Sequence, residues 1–254
     1  MDGQPIERIL SDYFNDYLDL PFEPFQEYFR KLHIVEVLSN TSHQSAVEIG
    51  CGRQSIFSVW QPSGNALIIE PIDSFLKFAV AELEKLGISK VNVFRGTLDD
   101  YVKSTNQLRY DVTLLSSILH EISNSDQFLS QAKEITKPGG TIIIVVPNKQ
   151  SVHRILGVEL GFQDSIDSQT ETEKIMQQVS GAFSFTELEN KILQAGLILE
   201  KMESFFIKMF PHKTMQLMLD NSTIREADLK IFDDLSDYLP GLGSEILAVA
   251  KVPG

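Results

Sequence analysis

Short runs of β-branched and other apolar residues alternate along this chain with longer segments whose apolar residues recur at helical spacing. This alternation is typical of a parallel sheet whose strands are joined by helical crossovers. The runs predicted as strands are Ser45–Gly50, Ala66–Glu70, Val91–Phe94, Val112–Ser116 and Thr141–Val146. The pattern therefore predicts an α/β layer in the first two thirds of the chain.

Helices are predicted between these runs, at Ser74–Leu86 and Asp126–Thr136. The second helix is followed by Lys137–Gly140, with the sequence Lys-Pro-Gly-Gly. Proline cannot continue a helix, and glycine tolerates a positive φ. We therefore expect the helix to stop here and the chain to turn sharply into the next strand.

Beyond Val146 the pattern changes, because two polar, helix-prone insertions, 147–183 and 213–239, interrupt the regular elements. Insertions of this length are usually functional or mobile. Between them, the Ser-x-x-Glu spacing that begins at Ser184 is a capping box and predicts a helix from about Phe185 to Ala195. The remaining strand-like segments are Leu197–Lys208 and Glu245–Val252.

The first 44 residues are unusually aromatic. Segments of this kind most often pack as amphipathic helices over a sheet edge or the mouth of a pocket. We therefore predict a helical cap for residues 1–44. The aromatic and leucine residues on which this prediction depends are Tyr13, Phe14, Tyr17, Leu18, Leu20, Phe22, Phe25, Tyr28 and Phe29.

The composition of the chain excludes several classes of protein. With 254 residues, 43% of them hydrophobic and 22% charged, the sequence is that of a globular protein, and we predict one domain spanning 1–254. Its net charge of −13 repels phosphate backbones and anionic lipids, so no nucleic acid partner and no membrane partner are expected. The longest apolar run, Thr141–Pro147, is far shorter than the ~18 residues of a membrane span.

A cytoplasmic location is predicted from two further features. Acidic residues stand near the start of the sequence, where a secretory signal would have basic and then apolar ones. Cys51 is the only cysteine, so neither an intrachain disulfide nor a multi-cysteine zinc site can form. The five histidines show no metal-ligand spacing, and no metal is predicted.

Candidate chemistry begins where the first predicted strand ends, in the sequence Glu48-Ile-Gly50-Cys51-Gly52. Glycines at this position let a ligand approach the backbone closely, and Glu70, at the end of the second strand, could accept hydrogen bonds from both hydroxyls of a ribose. A tight turn with an exposed acid is the alternative. A dinucleotide site is less well supported, since Ser55 stands where its third glycine would be.

The ordered set of motifs resembles class I S-adenosylmethionine-dependent methyltransferases. The matching segments are Glu48–Gly52, Glu70, Gly96–Asp99, Tyr110–Ser117 and Lys137–Gly140. They follow the family order across roughly Ser45–Val146. The resemblance implies a Rossmann-like three-layer sandwich around a seven-stranded, mostly parallel sheet whose last strand is antiparallel. It also implies a cofactor-binding core at 45–146 and acceptor-site insertions at 147–183 and 213–239.

The resemblance further implies S-adenosyl-L-methionine as cofactor. Glu48 would help hold its ammonium group, Glu70 would bind the ribose, Ile72 and Leu98 would flank the adenine, and Thr97 or Asp99 would meet the adenine amine. Gln54 and Thr97 depart from residues common in the family. The implied cofactor-binding set is Glu48, Gly50, Cys51, Gly52, Glu70, Pro71, Thr97, Leu98, Ser116 and Ser117.

His120 follows the fourth predicted strand, where ligands of open α/β sheets bind. It is the first candidate for orienting the acceptor or acting as general base, and a purely structural histidine is the alternative. Glu121 is interpreted as a turn acid. His153 and Arg154 could grip an acidic acceptor, although a solvated helix face also fits. Arg30 could reach the cofactor carboxylate or lie on the surface.

The sequence therefore predicts a methyltransferase that modifies an oxygen or nitrogen atom of a small-molecule acceptor. Two alternatives remain open. One is an NAD(P)-dependent oxidoreductase, and the other is a non-catalytic module that uses the same fold to bind a cofactor or a protein. The sequence indicates neither the acceptor nor the oligomeric state.

Overall fold

The computed structural model describes residues 20–39, 43–104, 108–170, 173 and 181–254. Within these residues, seven strands form one sheet in the order β3-β2-β1-β4-β5-β7-β6. The strands are β1 Ser45–Ile49, β2 Asn65–Glu70, β3 Val91–Arg95, β4 Tyr110–Ser116, β5 Thr136–Pro147, β6 Ile198–Phe205 and β7 Glu245–Lys251. Strands β1 to β5 pair in parallel, and β7 runs antiparallel to β5 and β6. The predicted sheet, with an antiparallel last strand, is confirmed.

Helices cover both faces of the sheet. They are α1 Glu23–Ser39, α2 Asp73–Lys85, α3 Leu98–Val102, α4 Ser125–Glu134, α5 Val152–Glu159, α6 Phe185–Gln194, α7 His212–Asp220 and α8 Leu229–Asp234. One apolar core lies between the sheet and α1, α2, α7 and α8, and a second lies between the sheet and α3, α4 and α6. Neighbouring residues of β1 alternate between the cores, Ala46 in the first and Val47 in the second. The three-layer sandwich is therefore confirmed.

Local sequence signals explain where several helices begin. The Ser184 hydroxyl accepts a hydrogen bond from the Glu187 amide, and the Glu187 carboxylate accepts one from the Ser184 amide. The predicted capping box at the start of α6 is therefore formed. Thr97 and Asp100 make the same reciprocal pair at α3. This second box fixes the start of a short helix at the carboxyl edge of the sheet.

The Lys-Pro-Gly-Gly segment corrects one prediction. Helix α4 ends at Glu134, before the predicted Thr136, and β5 already begins at Thr136. The register of β5 against β4 shifts between the Thr136 and Thr141 pairs, so the segment forms an irregularity inside the strand. Gly139, with φ +74°, donates its amide to the Val252 carbonyl, which explains why the chain stays in the sheet.

The strand order places a binding crevice between β1 and β4. From β1 the chain proceeds outward through β2 to β3, whereas from β4 it proceeds in the opposite direction through β5. Ligands of open α/β sheets bind outside the carboxyl ends of the strands at such a reversal. Helix α1, the described part of the predicted cap, lies near this edge, while Tyr13, Phe14, Tyr17 and Leu18 fall outside the described residues.

Across the described ranges of the chain, no helix combines the length and apolar character needed to cross a membrane.

Candidate active site

A cavity of about 1000 Å³ opens at the carboxyl ends of β1, β2, β4 and β5. The site residues predicted from the sequence are all in its wall. They are Glu48, Gly50, Cys51, Gly52, Glu70, Pro71, Thr97, Leu98, Ser116, Ser117, His120, His153 and Arg154. The cavity therefore joins the region predicted for a cofactor to the region predicted for an acceptor.

The bend after β1 is built on two glycines. Gly50 has φ +75° and Gly52 has φ +52°, a backbone conformation that side-chain-bearing residues rarely adopt. A Cβ added at Gly50 would also lie 3.2 Å from Ile118 Cδ1. Glycine at this point keeps the loop backbone on the cavity wall without a side chain between it and a ligand.

Glu70 is a buried carboxylate at the end of β2, where it connects two loops. One oxygen accepts a hydrogen bond from the Cys51 amide at 3.1 Å, and the other accepts from the Ile72 amide at 2.8 Å. Burial raises the pKa of Glu70 to about 7 despite these bonds. Oε1 retains a second acceptor site, and that of Oε2 meets only the Cys51 thiol at 3.8 Å, a weak donor, so the group can still bind a diol in the cavity. The alternative of an exposed acid is wrong, because Glu70 is only 3% exposed.

Glu48 organises the loop that follows β1. Its oxygens accept hydrogen bonds from Ser55 Oγ at 2.5 Å and from the Ile56 amide at 3.0 Å. Burial raises the pKa of Glu48 to about 7. These bonds give Ser55 a structural role at the position where a dinucleotide site would have glycine, and the implied contact of Glu48 with an ammonium group stays a prediction.

The loop after β1 is also tied to helix α1. Lys31 Nζ donates to Gln54 Oε1 at 3.1 Å, and Lys31 pairs with Glu27 at 3.2 Å. Gln54 is one of the two departures from the family pattern. In this chain its side chain fastens the described part of the cap to the glycine bend.

The wall between β2 and β3 supplies apolar surfaces suited to a flat ring. Ile72 and Leu98 are buried and both line the cavity. Thr97 lines it too, although its hydroxyl caps α3. Asp99 lies outside the cavity wall and bonds Lys103 and Gln131. Of the two residues suggested for the adenine amine, the structure places only Thr97 at the cavity.

His120 lies on the wall beyond β4, in a single helical turn at Leu119–Glu121. The side chain is 3% exposed, and its Nε2 lies 3.0 Å from Glu121 Oε1. Glu121 also lines the cavity, and its Oε1 makes no hydrogen bond within the described residues, so its interpretation as a turn acid stays a prediction. Ser117, just before this turn, has φ +58°, which is strained for serine and brings the chain abruptly from the strand to the cavity wall.

Arg154 differs from its predicted environment. It is 4% exposed, so the solvated helix face is wrong. Its guanidinium donates to Glu173 at 2.8 and 3.4 Å and to the Ile166 and Ser168 carbonyls. The arginine therefore secures the segment that follows α5. Its two terminal nitrogens are already occupied by the protein, whereas Arg154 Nε and His153 Nδ1 make no hydrogen bond within the described residues.

An ion-pair network that sequence reasoning missed lines the cavity beside α1. Arg30 Nε donates to both oxygens of Glu245 at 3.0 Å, and Arg30 Nη2 donates to Glu245 at 2.6 Å and to Glu23 at 3.2 Å. All three side chains are buried. Arg30 is thus neither a surface residue nor free to bind a cofactor carboxylate.

Lys208 and His212 are further cavity residues that the sequence did not identify. Lys208 follows β6 and is 5% exposed, and His212 begins α7 with its Nδ1 3.8 Å from Glu23 Oε2. Lys208 could have been noticed as the only charged residue in the apolar run Phe205–Phe210. Residues Phe205 and Phe206 of that run belong to the first core.

No cluster of three or more histidine, cysteine, aspartate or glutamate side chains with metal-binding geometry occurs in the part of the chain that the structure describes.

The sequence matches a known protein family over residues 40–201, and that family is described as a methyltransferase domain. A ubiquinone biosynthesis O-methyltransferase of Rickettsia canadensis is 25% identical over 162 residues, which are 61% of this chain and 66% of the relative. The matched part of this chain thus spans just under two thirds of that relative's length.

Solved structures share the fold. A SAM-dependent methyltransferase of Thermotoga maritima superposes with a TM-score of 0.59 at 20% identity, covering 98% of this chain and all of the other. The N-methyltransferase NodS of Bradyrhizobium japonicum, in complex with S-adenosylhomocysteine, gives a TM-score of 0.57 at 12% identity, covering 97% and 99%. At these identities the likeness concerns the fold alone.

Proposed function

We propose, from the premise that the chain belongs to the methyltransferase-domain family, that it transfers a methyl group from S-adenosylmethionine to a small-molecule acceptor. The observation that carries the proposal is one continuous cavity. Its wall includes the glycine bend and Glu70 as well as His120, His153 and Lys208.

The residues around the glycine bend fit S-adenosylmethionine. The bend at Gly50 and Gly52 offers bare backbone to the methionine part, and Glu70 offers two carboxylate oxygens to the ribose diol. Ile72 and Leu98 provide apolar contacts for the adenine. A nicotinamide dinucleotide has less support, since Ser55 donates to Glu48 where the pyrophosphate loop would need glycine.

When bound, S-adenosylmethionine supplies a methyl group on a positively charged sulfonium, and the neutral thioether that remains after transfer is a good leaving group. The protein then has to align the acceptor atom with the methyl carbon and sulfur and to exclude water. Ser117 and His120 line the cavity beyond the carboxyl end of β4, and the buried Arg30 network forms part of the same wall. A hydroxyl acceptor must also lose its proton, and His120 on the cavity wall is the proposed base that receives it.

The acceptor is proposed to be a small organic molecule that is methylated on oxygen or nitrogen. Oxygen is favoured as the methylated atom, because the Rickettsia canadensis relative is named as an O-methyltransferase. The net charge of −13 disfavours nucleic acid as the acceptor. The single-domain organisation and a cytoplasmic location stay predictions.

Calorimetry with S-adenosylmethionine and S-adenosylhomocysteine tests the proposed cofactor. Both are expected to bind, and S-adenosylmethionine should bind more tightly at pH 8 than at pH 6, by about tenfold for each carboxylate that must be ionised. Burial raises the pKa values of Glu48 and Glu70 to about 7, so each is mostly protonated at pH 6 and mostly ionised at pH 8. The ionised forms attract a cationic ligand and accept hydrogen bonds from hydroxyls. The affinity therefore rises with pH, and binding near pH 7 should release protons. No heat with either compound would contradict the proposal.

Replacing His120 with alanine is expected to reduce methyl transfer by about 100-fold or more, the lower range for general acid–base catalysis. Cofactor affinity should stay within about twofold, since the proposed cofactor contacts are made by other residues of the cavity wall, the glycine bend and Glu70. Turnover is measured as S-adenosylhomocysteine formed with a panel of hydroxylated acceptors, with His43→Ala as a control outside the cavity wall. Unchanged turnover would assign His120 a structural role.

A further inference from the structure

Lys208 is a buried cation that the protein does not neutralise directly. The side chain is 5% exposed and lines the cavity. No hydrogen bond or ion pair within 4 Å joins its ammonium group to any residue in the described ranges. A buried ammonium group without a partner is costly, and such groups are normally paired. A ligand in the cavity would supply the missing partner.

The other buried charges around Lys208 are already satisfied by one another. Arg30 holds Glu23 and Glu245, and Arg154 holds Glu173. Burial lowers the pKa of Lys208 to about 8, although the carboxylates of Glu23 and Glu245 favour its charged form. The group is therefore mostly protonated at pH 7.

Two imidazoles line the same cavity and interact electrostatically with this ammonium group. His153 belongs to α5 and His212 to α7, and the buried Nδ1 atom of each makes no hydrogen bond. Burial, with Lys208 nearby, holds the pKa of both histidines well below the usual range, so both are neutral. Neutral imidazoles can donate or accept one hydrogen bond at each nitrogen without opposing an anion.

We propose that Lys208, together with His153 and His212, binds an anionic oxygen of the methyl acceptor, either a carboxylate or an ionised hydroxyl. The inference rests on the proposed function and specifies its acceptor class. An amine acceptor is disfavoured here, because it would meet Lys208, and the carboxylates of Glu23 and Glu245 are engaged by Arg30. We therefore assign the binding of an acidic acceptor to Lys208 in place of Arg154.

The test uses the whole protein saturated with S-adenosylhomocysteine, whose binding is measured first. Benzoate and its neutral counterpart benzamide are then titrated by calorimetry. Benzoate is expected to bind at least tenfold more tightly than benzamide. Lys208→Met should remove this preference, whereas Lys208→Arg should keep most of it. A loss of about tenfold corresponds to about 1.4 kcal/mol, at the lower end for a hydrogen bond to a charged group.

A second probe separates the two sources of the anion. The phenolate form of 4-nitrophenol absorbs visible light, so its ionised fraction can be read at fixed pH. A larger ionised fraction with the wild-type protein than with Lys208→Met assigns the subsite to an acceptor hydroxyl. A change in benzoate binding alone assigns it to a carboxylate. Either result supports the anionic-oxygen subsite.

Lys213→Met is the matched control, because Lys213 also lines the cavity but is exposed. This variant should bind benzoate within about twofold of the wild type, since an exposed charge is screened by solvent. The inference would be overturned if benzoate binding showed no dependence on its charge or on Lys208 and, in addition, 4-nitrophenol were no more ionised with the wild type than with Lys208→Met. Failure of S-adenosylhomocysteine itself to bind would instead contradict the proposed function.

Discussion

Replacing Arg30 with leucine is expected to lower the free energy of unfolding by about 3–5 kcal/mol, the range for removing one partner of a buried ion pair. The leucine would leave Glu23 and Glu245 buried together without their counter-ion. Both carboxylates would lose the hydrogen bonds from Arg30, and they would have to become protonated or be hydrated by water entering the site. Equilibrium unfolding in urea, with the slope compared between variants, measures the change.

Two further variants sharpen this prediction. Arg225→Leu removes an exposed arginine that pairs with Asp228 and should leave the urea midpoint unchanged. The double variant Arg30→Leu/Glu245→Leu should be more stable than Arg30→Leu alone, because it also removes one of the stranded carboxylates. A loss below about 1 kcal/mol in Arg30→Leu would show that the network contributes no more than a surface pair.

Replacing Glu70 with alanine is expected to weaken the binding of S-adenosylmethionine and S-adenosylhomocysteine by about 10- to 150-fold. This range corresponds to about 1.5–3 kcal/mol for hydrogen bonds to a charged group. The substitution removes the proposed acceptor for the ribose hydroxyls. It also deprives the Cys51 and Ile72 amides of their carboxylate partners on either side of the cavity. Isothermal titration calorimetry with both ligands measures the effect.

Glu200→Ala is the control for this substitution, because it removes the same side chain from an exposed position on β6, away from the cavity. Its affinity should match the wild type. Glu70→Gln tests the charge with little change of shape and should also weaken binding, since an amide offers only one acceptor oxygen. Cofactor affinity that is reduced less than about fivefold in Glu70→Ala, a loss of about 1 kcal/mol, would refute the ribose assignment.

Much of the fold could be predicted because its signals are local. The alternation of strands and helices between Ser45 and Val146 identified the parallel half of the sheet, and Ser184 with Glu187 identified the start of α6. The resemblance to class I methyltransferases is confirmed by the family match over residues 40–201. The predicted cofactor residues line one cavity because strand carboxyl ends gather at the same edge of a parallel sheet.

The features that could not be predicted depend on pairings that no local pattern encodes. Arg30 meets Glu245 across 215 positions, and Arg154 meets Glu173 across 19. Neither spacing is characteristic of a helix or a turn. A charged residue in an apolar run does not by itself indicate a binding site. Lys208 becomes a candidate because folding buries it against a cavity. The early start of β5 has a similar cause, since it depends on Gly139 bonding Val252.

The link between α1 and β7 also constrains how the chain matures on the ribosome. At about 5–20 residues per second, Arg30 is synthesised about 10–40 s before the Glu245 that neutralises it. Phe29 is likewise synthesised before Phe206, on which its ring stacks with the ring centroids 4.5 Å apart. The nascent helix therefore emerges with its charged and aromatic faces uncovered. Chaperone contact is expected during this interval, and a premature stop codon ahead of β7 would leave the helix unfastened.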